Sequence, residues 1–209
     1  MNVTIIGTGN MARGIGKRLV AGGHDVTVLG KETADAEAVV ADLGGGGSAR
    51  AGRSGDPIAD DVVVLAVYYP DAKAAVEGYG DGLSGKVVVD ISNPVNETYD
   101  ALVIPPDGSA AQELAASAPG ARVVKAFNTT FANTLQEGRV RDEPLDVLIA
   151  GDDEDAKGTV AQLARDGGLR PVDAGPLARA RELEAAGLLH ISVQGTLGTN
   201  FASALKLLA

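Results

Sequence analysis

The segment Val3-Thr4-Ile5-Ile6-Gly7-Thr8-Gly9-Asn10-Met11-Ala12-Arg13-Gly14-Ile15-Gly16 restricts this chain more than any other. A β-branched apolar run stops at Gly7, and a helix-compatible stretch begins at once. The order is strand, glycine turn, helix N-terminus. The spacing Gly7-x-Gly9-x-x-Ala12 is the alanine-ending form of the dinucleotide fingerprint. Gly7 suits a tight turn. Gly9 lets a pyrophosphate approach the backbone. Ala12 is small enough for the helix to pack on the strand. The free N–H groups and the positive end of the helix favour an anion. Gly7, Thr8, Gly9, Asn10 and Met11 are therefore the first cofactor-binding candidates.

The rest of the chain continues the strand–helix alternation. Residues Asn10 to Ala21 read as a helix with Met11, Ile15, Leu19 and Val20 on one face, ended by Gly22-Gly23. Val26 to Leu29 is the second strand, and Thr33 to Leu43 the second helix with Thr33 as its cap. Gly44 to Ser48 reads as a flexible linker, because it lacks the Lys-Ser/Thr ending of a P-loop. Ala49-Arg50-Ala51 is a short third strand, and Asp56-Pro57 starts a helical turn. Asp61 to Val67 is apolar after its first residue and reads as a strand buried on both faces. Ala72 to Tyr79 is helical, Lys86 to Asp90 a strand, Ser109 to Ser117 a helix and Arg122 to Phe127 a strand.

Phe131 to Glu137 is a helix and Leu145 to Ala150 a strand. The acids Asp152 to Asp155 cap the helix Glu154 to Arg165 by complementing its dipole. Leu169 to Pro176 is a strand and turn, Leu177 to Ser192 a helix, and Gly195 to Asn200 a loop. The alternation of Phe201, Ser203, Leu205 and Leu207 suggests a closing strand. The fold expected is α/β: a Rossmann, doubly wound, mainly parallel sheet with a small C-terminal helical and strand extension. Residues 1–145 form the nucleotide-binding domain and 146–209 a small part that completes the substrate cleft.

Composition narrows the function classes. At 209 residues, 45% hydrophobic and 22% charged, the chain can build one sizeable core. A net charge of −10 argues against nucleic acid or anionic membrane as partner. With no cysteine there is neither a thiolate nucleophile nor a cysteine metal site. His24 and His190 are far apart; His24 reads as a turn residue and His190 as a packed one. No signal-peptide pattern or membrane-length apolar run is visible, so a cytoplasmic protein, and a homodimer as one arrangement of it, are expected.

The end of the second strand bears on cofactor type. An NAD-specific site places an acid there to accept the ribose hydroxyls. This chain has Leu29-Gly30-Lys31-Glu32-Thr33, with Gly30 in the acidic place. Lys31 and Thr33 suit a 2′-phosphate, which favours NADP over NAD; Glu32 could instead reach a ribose. The loops at the carboxyl ends of later strands line the crevice of such a sheet. They supply Val67, Tyr68 and Tyr69, then Asn93 and Pro94, then Ala126, Asn128, Thr129 and Thr130. Tyr68 and Tyr69 suit packing against a planar ring, or simply a Tyr-Pro strand stop. Asn93-Pro94 suits an amide aimed at the cofactor, or a turn alone. Asn128, Thr129 and Thr130 suit a nicotinamide carboxamide or a substrate, and equally a helix cap.

Five stretches together resemble one family. They are Ile5 to Ala12, Ile91-Ser92-Asn93-Pro94-Val95, Val124-Lys125-Ala126-Phe127-Asn128-Thr129, Gly151-Asp152-Asp153, and Leu169 to Leu177. They are similar to the NADP oxidoreductases dependent on coenzyme F420, a deazaflavin. The resemblance implies NADP(H) along the carboxyl edge of the sheet, with coenzyme F420 as co-substrate stacked on the nicotinamide for direct hydride transfer. Tyr69, Asn128, Thr129 and Thr130 would then meet the co-substrate. Such a transfer needs alignment and no catalytic side chain. Reduction of another flavin, a quinone or a small carbonyl or imine, and a non-catalytic NADP-binding role, are the alternatives. The chain departs from better-known members at Gly30-Lys31, where they carry a serine–arginine type pair, and at Asn128, where some carry a histidine.

Overall fold

The structure, a computed structural model, describes residues 1–44 and 48–208. The linker expected across Gly44 to Ser48 therefore lies largely outside the described residues. Six strands come first: β1 (Asn2–Ile6), β2 (Asp25–Gly30), β3 (Ala49–Arg53), β4 (Val62–Leu65), β5 (Val87–Asp90) and β6 (Arg122–Lys125). A short hairpin of β7 (Arg139–Val140) and β8 (Glu143–Pro144) follows, then β9 (Asp146–Gly151) and β10 (Arg170–Gly175). Between and after them run α1 (Asn10–Ala21), α2 (Thr33–Leu43), α3 (Tyr69–Tyr79), α4 (Ala110–Ser117), α5 (Ala132–Glu137), α6 (Glu154–Asp166), α7 (Ala180–Ser192) and α8 (Gln194–Leu197).

Apart from the β7–β8 hairpin, the described strands form one sheet in the order β10-β9-β6-β5-β4-β1-β2-β3. Every pairing in it is parallel except β6 with β9. The order in which strands are added reverses between β1 and β4, the switch point at which such sheets bind ligands. β9 and β10 extend the same sheet through the pairing of β6 with β9.

Period-two alternation explains why β4 is apolar at every position. Val62 and Val64 join the core with α1, α2 and α6, while Val63 and Leu65 join the opposite core with α3 and α4. Each face of the sheet is thus closed by its own helices. On the α1 side the close approach depends on small residues. A Cβ at Gly14 would sit 2.9 Å from the Leu135 Cβ of α5.

Several local expectations shift. The third helix starts at Tyr69, because Pro70 is accepted in a first turn where its missing N–H has no partner to lose. Thr33 is inside α2; Glu32 is the cap residue and offers no side-chain hydrogen bond. Ser109 and Asp153 do cap α4 and α6, accepting from the N–H groups of Gln112 and Ala156. No helical turn forms at Asp56-Pro57, where the Asp56 carboxylate instead accepts from the Arg53 N–H. Gln194–Leu197 is helical rather than loop. The closing strand is absent: Asn200 and Phe201 have positive φ, and Leu207 bonds side chains instead of a neighbouring strand. Its N–H goes to Asp146 and its carbonyl accepts from Arg170, which leaves nothing for a ladder there.

Candidate functional site

A cleft of about 820 Å³ opens along the carboxyl ends of β1, β2, β4 and β5. Its floor is the β1–α1 turn. Gly7 has φ +125°, and a Cβ there would lie 2.3 Å from the Ala66 carbonyl oxygen. Only glycine lets β1 and β4 come this close. A Cβ at Gly9 would meet no protein atom and would stand in the cleft itself. The helix α1 begins without a side-chain cap and with no acid in its first turn. Its leading N–H groups are thus left for an anion in the cleft. Gly7, Thr8, Gly9, Asn10 and Met11 all line this end.

The β2–β3 side is open and charged. Lys31 lines the cleft and its Nζ donates to Asp71 at 3.2 Å from across it. Its side chain is 81% exposed, so the pair is weak and easily exchanged for another anion. Gly30 itself is a packing requirement. A Cβ there would lie 2.7 Å from the Glu32 carbonyl oxygen and 2.9 Å from Thr8 Cγ2. The usual acidic side chain has no room at this position. Thr33 is exposed and does not line the cleft, whereas Ser54, Gly55 and Asp35 do. Ser54 and Gly55 carried no sequence signal because β3 is short and only pairing with β2 brings its end here; the Ser54 N–H donates to the Gly30 carbonyl at 2.7 Å, while Asp35 reaches the cleft from the first turn of α2.

The β4–β5 side is apolar at its rim and tightly bonded beneath. Val67, Tyr68 and Asn93 line it, together with Tyr99 and Ile191, which carried no sequence signal; Tyr79 lies at the other end, its hydroxyl accepting from the Gly55 N–H at 2.8 Å. Tyr68 is 74% exposed. Tyr69 turns away: its hydroxyl donates to Glu113 of α4, and burial, then that carboxylate, push its pKa up. Asn93 and Asn128 bond each other twice. The Asn93 amide donates to the Asn128 carbonyl at 2.8 Å, and the Asn128 amide donates to Asn93 Oδ1 at 2.9 Å. Asn128 also donates to the Leu183 carbonyl of α7. Asn128, Thr129 and Thr130 are buried behind the cleft, as are Pro94 and Ala126, and none of them lines it.

Phe127, just before them, holds φ at +63°, an outlier for a bulky side chain. The strain aims the chain from β6 back under α7, and the Phe127 carbonyl is secured by both the N–H and the hydroxyl of Thr130. His190 is packed, as its sequence context suggests. One ring nitrogen donates to the Thr129 carbonyl at 3.2 Å and the other accepts from Ser203 at 2.9 Å, with Phe131 stacked 4.1 Å away. Burial lowers its pKa. Among the described residues no group of three or more His, Cys, Asp or Glu is placed to hold a metal, and no helix is long and apolar enough to cross a membrane.

Two buried oxygens in and behind the wall of the cleft have no protein partner, Ser92 Oγ and Asn128 Oδ1. Ser92 lines the cleft. Buried polar atoms are nearly always paired, so an orphan at a cleft wall marks a place for a ligand's polar group. The arrangement accommodates an extended molecule with a central anion, one polar exposed end and one flat, partly apolar end.

A profile of the family described as coenzyme F420-dependent NADP oxidoreductase matches residues 2–94. The chain is 30% identical over 178 residues to the F420-dependent NADP reductase of Methanocaldococcus jannaschii, covering 82% of this chain and 76% of that one. It is 34% identical over 183 residues to the metalloreductase STEAP3 of Rattus norvegicus. That match takes in 88% of this chain but spans only 36% of the relative's length. A solved structure of a candidate F420-dependent NADP-reductase from Arthrobacter sp. fb24 superposes with a TM-score of 0.86 at 25% identity, over 99% of each chain.

Proposed function

The chain belongs to the coenzyme F420-dependent NADP oxidoreductase family, and from that premise we propose that its cleft binds NADP(H) and passes a hydride between it and the deazaflavin F420. The observation that carries this reading is the cleft's division into three chemically distinct parts along one sheet edge. The uncapped start of α1 and the open space over Gly9 fit the pyrophosphate. Lys31 and Ser54 fit the 2′-phosphorylated ribose, where Gly30 leaves no space for an acid. Ser92 and Asn93 fit the nicotinamide, with the orphan Ser92 hydroxyl as its polar contact.

The dinucleotide supplies the hydride chemistry when bound; the side chains bind and orient. Val67 and Ile91 give the ring end an apolar wall that excludes water from one face. Tyr68, Tyr99 and Ile191 leave a flat rim on the other side for a second planar molecule. Alignment of two rings is worth far more here than any acid or base. Purified protein with NADPH should bleach the deazaflavin absorbance at a rate that saturates in both compounds. Tight NADPH binding without any change in that absorbance would sink the F420 assignment.

A second reading, reduction of a different flavin or small oxidised acceptor, is favoured by the likeness of most of this chain to a metalloreductase. Turnover with such acceptors in a panel, in the absence of deazaflavin turnover, would establish it.

A further inference from the structure

Beneath the ring end of the cleft lies a charge cluster that neither the fold nor the proposed chemistry requires. Lys125, the last residue of β6, is completely buried. Its ammonium donates to Asp90 Oδ2 at 2.7 Å, to Glu184 Oε1 of α7 at 2.9 Å and to the Ser92 carbonyl at 2.5 Å. All three of its donors are used. Asp90 and Glu184 are also completely buried. Asp90 is the register partner of Lys125 on β5. Glu184 further accepts from the Ala110 and Ala111 N–H groups at the start of α4.

Such a cluster is a poor way to add stability. Apolar side chains of similar volume do as well or better at buried ion-pair positions. Its geometry shows what it holds. Asp90 Oδ1 accepts from the Ser92 N–H at 2.8 Å, while Lys125 takes the Ser92 carbonyl. Both backbone polar groups of Ser92 are therefore gripped from below. The hydroxyl of the same residue is buried without a protein partner, in a residue that lines the cleft. Asn93, next in the chain, is locked by its double bond with Asn128, and a Cβ on Gly187 of α7 would come within 2.5 Å of its Oδ1.

We infer that Lys125 is a positioning residue for the ring end of the dinucleotide: by holding the Ser92 carbonyl between Asp90 and Glu184, it presents the Ser92 hydroxyl and the Asn93 side chain to that end. The inference rests on the reading of the cleft as an NADP(H) site. It adds a residue that never touches the cofactor and acts through Ser92.

The test compares two ligands on the full chain. NADPH spans the whole cleft, and 2′,5′-ADP carries the adenosine half alone. In Lys125→Met the Kd for NADPH should rise tenfold or more, with that for 2′,5′-ADP within twofold of the unmodified protein. Ser92→Ala alone should weaken NADPH about fivefold, but less than twofold when added to Lys125→Met, because the hydroxyl is then already misplaced. Should Lys125→Met not fold, Glu184→Gln loosens the same ammonium and should shift NADPH alone, in the same direction but less. Unchanged NADPH binding in the folded variants, equal losses for both ligands, or additive effects of the two substitutions would overturn the positioning role. If the unmodified protein binds neither ligand, the NADP(H) reading itself falls and takes this inference with it. Binding of 2′,5′-ADP at full strength with an unmoved NADPH Kd overturns the Lys125 role alone.

Discussion

The two ends of the cleft are built on opposite plans. At the β2–β3 end, the charges are exposed and loosely paired: Lys31 with Asp71 at 3.2 Å, and Arg53 with Glu32 at 3.8 Å. Behind the β4–β5 end the polar groups are buried and bonded to one another, with Asn93, Asn128 and Lys125 tied to α7 through Leu183 and Glu184. Exposed pairs cost little to break and rearrange around whatever ligand arrives. A buried network is fixed before a ligand comes, and the oxygens it leaves unpaired, Ser92 Oγ and Asn128 Oδ1, carry a desolvation cost. On the proposed function, the first end selects by charge and the second by shape.

The largest effect should fall between them. Gly7→Ala forces a side chain at φ +125° against the Ala66 carbonyl. It should lower stability by about 3 kcal/mol and abolish dinucleotide binding. A denaturant melt together with an NADPH titration measures both; normal binding by the variant would remove the turn as the hinge of the comparison.

The next test concerns what supports the buried end. Asp146, on β9, anchors the C-terminal segment through Arg170, Lys206 and the Leu207 N–H. Burial alone would raise its pKa, but those hydrogen bonds outweigh it and hold the carboxyl at about 2. A depressed carboxyl stabilises the folded state above its unfolded pKa, and the contribution is lost as pH falls from about 4 towards 2. The loss should be about 2 kcal/mol, read as the difference in acid stability between the unmodified chain and Asp146→Asn. Identical acid limbs for the two proteins would refute it.

Asn128→Ala strips the donor from Asn93 and from the Leu183 carbonyl. A cost of about 1–2 kcal/mol in stability is expected, with weaker NADPH binding, in calorimetry of the folded variant. Lys31→Ala should show the contrary pattern and the smallest effect. Stability should stay within about 0.5 kcal/mol, while NADPH affinity drops by about 1 kcal/mol and NADH affinity holds. Equal losses for the two dinucleotides would erase the phosphate role of Lys31 and, with it, the charge-selecting end.

The contrast also explains which parts of the site were legible in advance. The glycine turn shows itself because Gly7, Gly9 and Ala12 act on their own neighbours. Lys31 is visible because it follows β2 directly. The same locality shows α1 and α2 with the bounds they have in the structure. Tyr69 misled, since a strand-end position says that a residue is near the crevice and not which way its ring turns; Glu113, 44 residues away, decides that. The alternation from Phe201 to Leu207 misled for a related reason. Period two describes a strand only where a free edge exists to pair with, and Asp146 and Arg170 take the Leu207 backbone instead.

Short-range sequence constraints were enough for the strand–turn–helix at the start, the doubly wound class of the sheet, and a first turn whose helix lacks a side-chain cap. All three follow from constraints between residues a few positions apart: glycine torsions, apolar periodicity and unpaired helix N–H groups. The meeting of Lys125 with Asp90 and Glu184, 35 and 59 residues away, and its bond to the Ser92 carbonyl came into view with the three-dimensional packing alone. Those encounters depend on β5 lying beside β6 and on α7 folding back over both. Sheet order and helix docking are set by the burial of the whole core, and no short stretch of the chain records them.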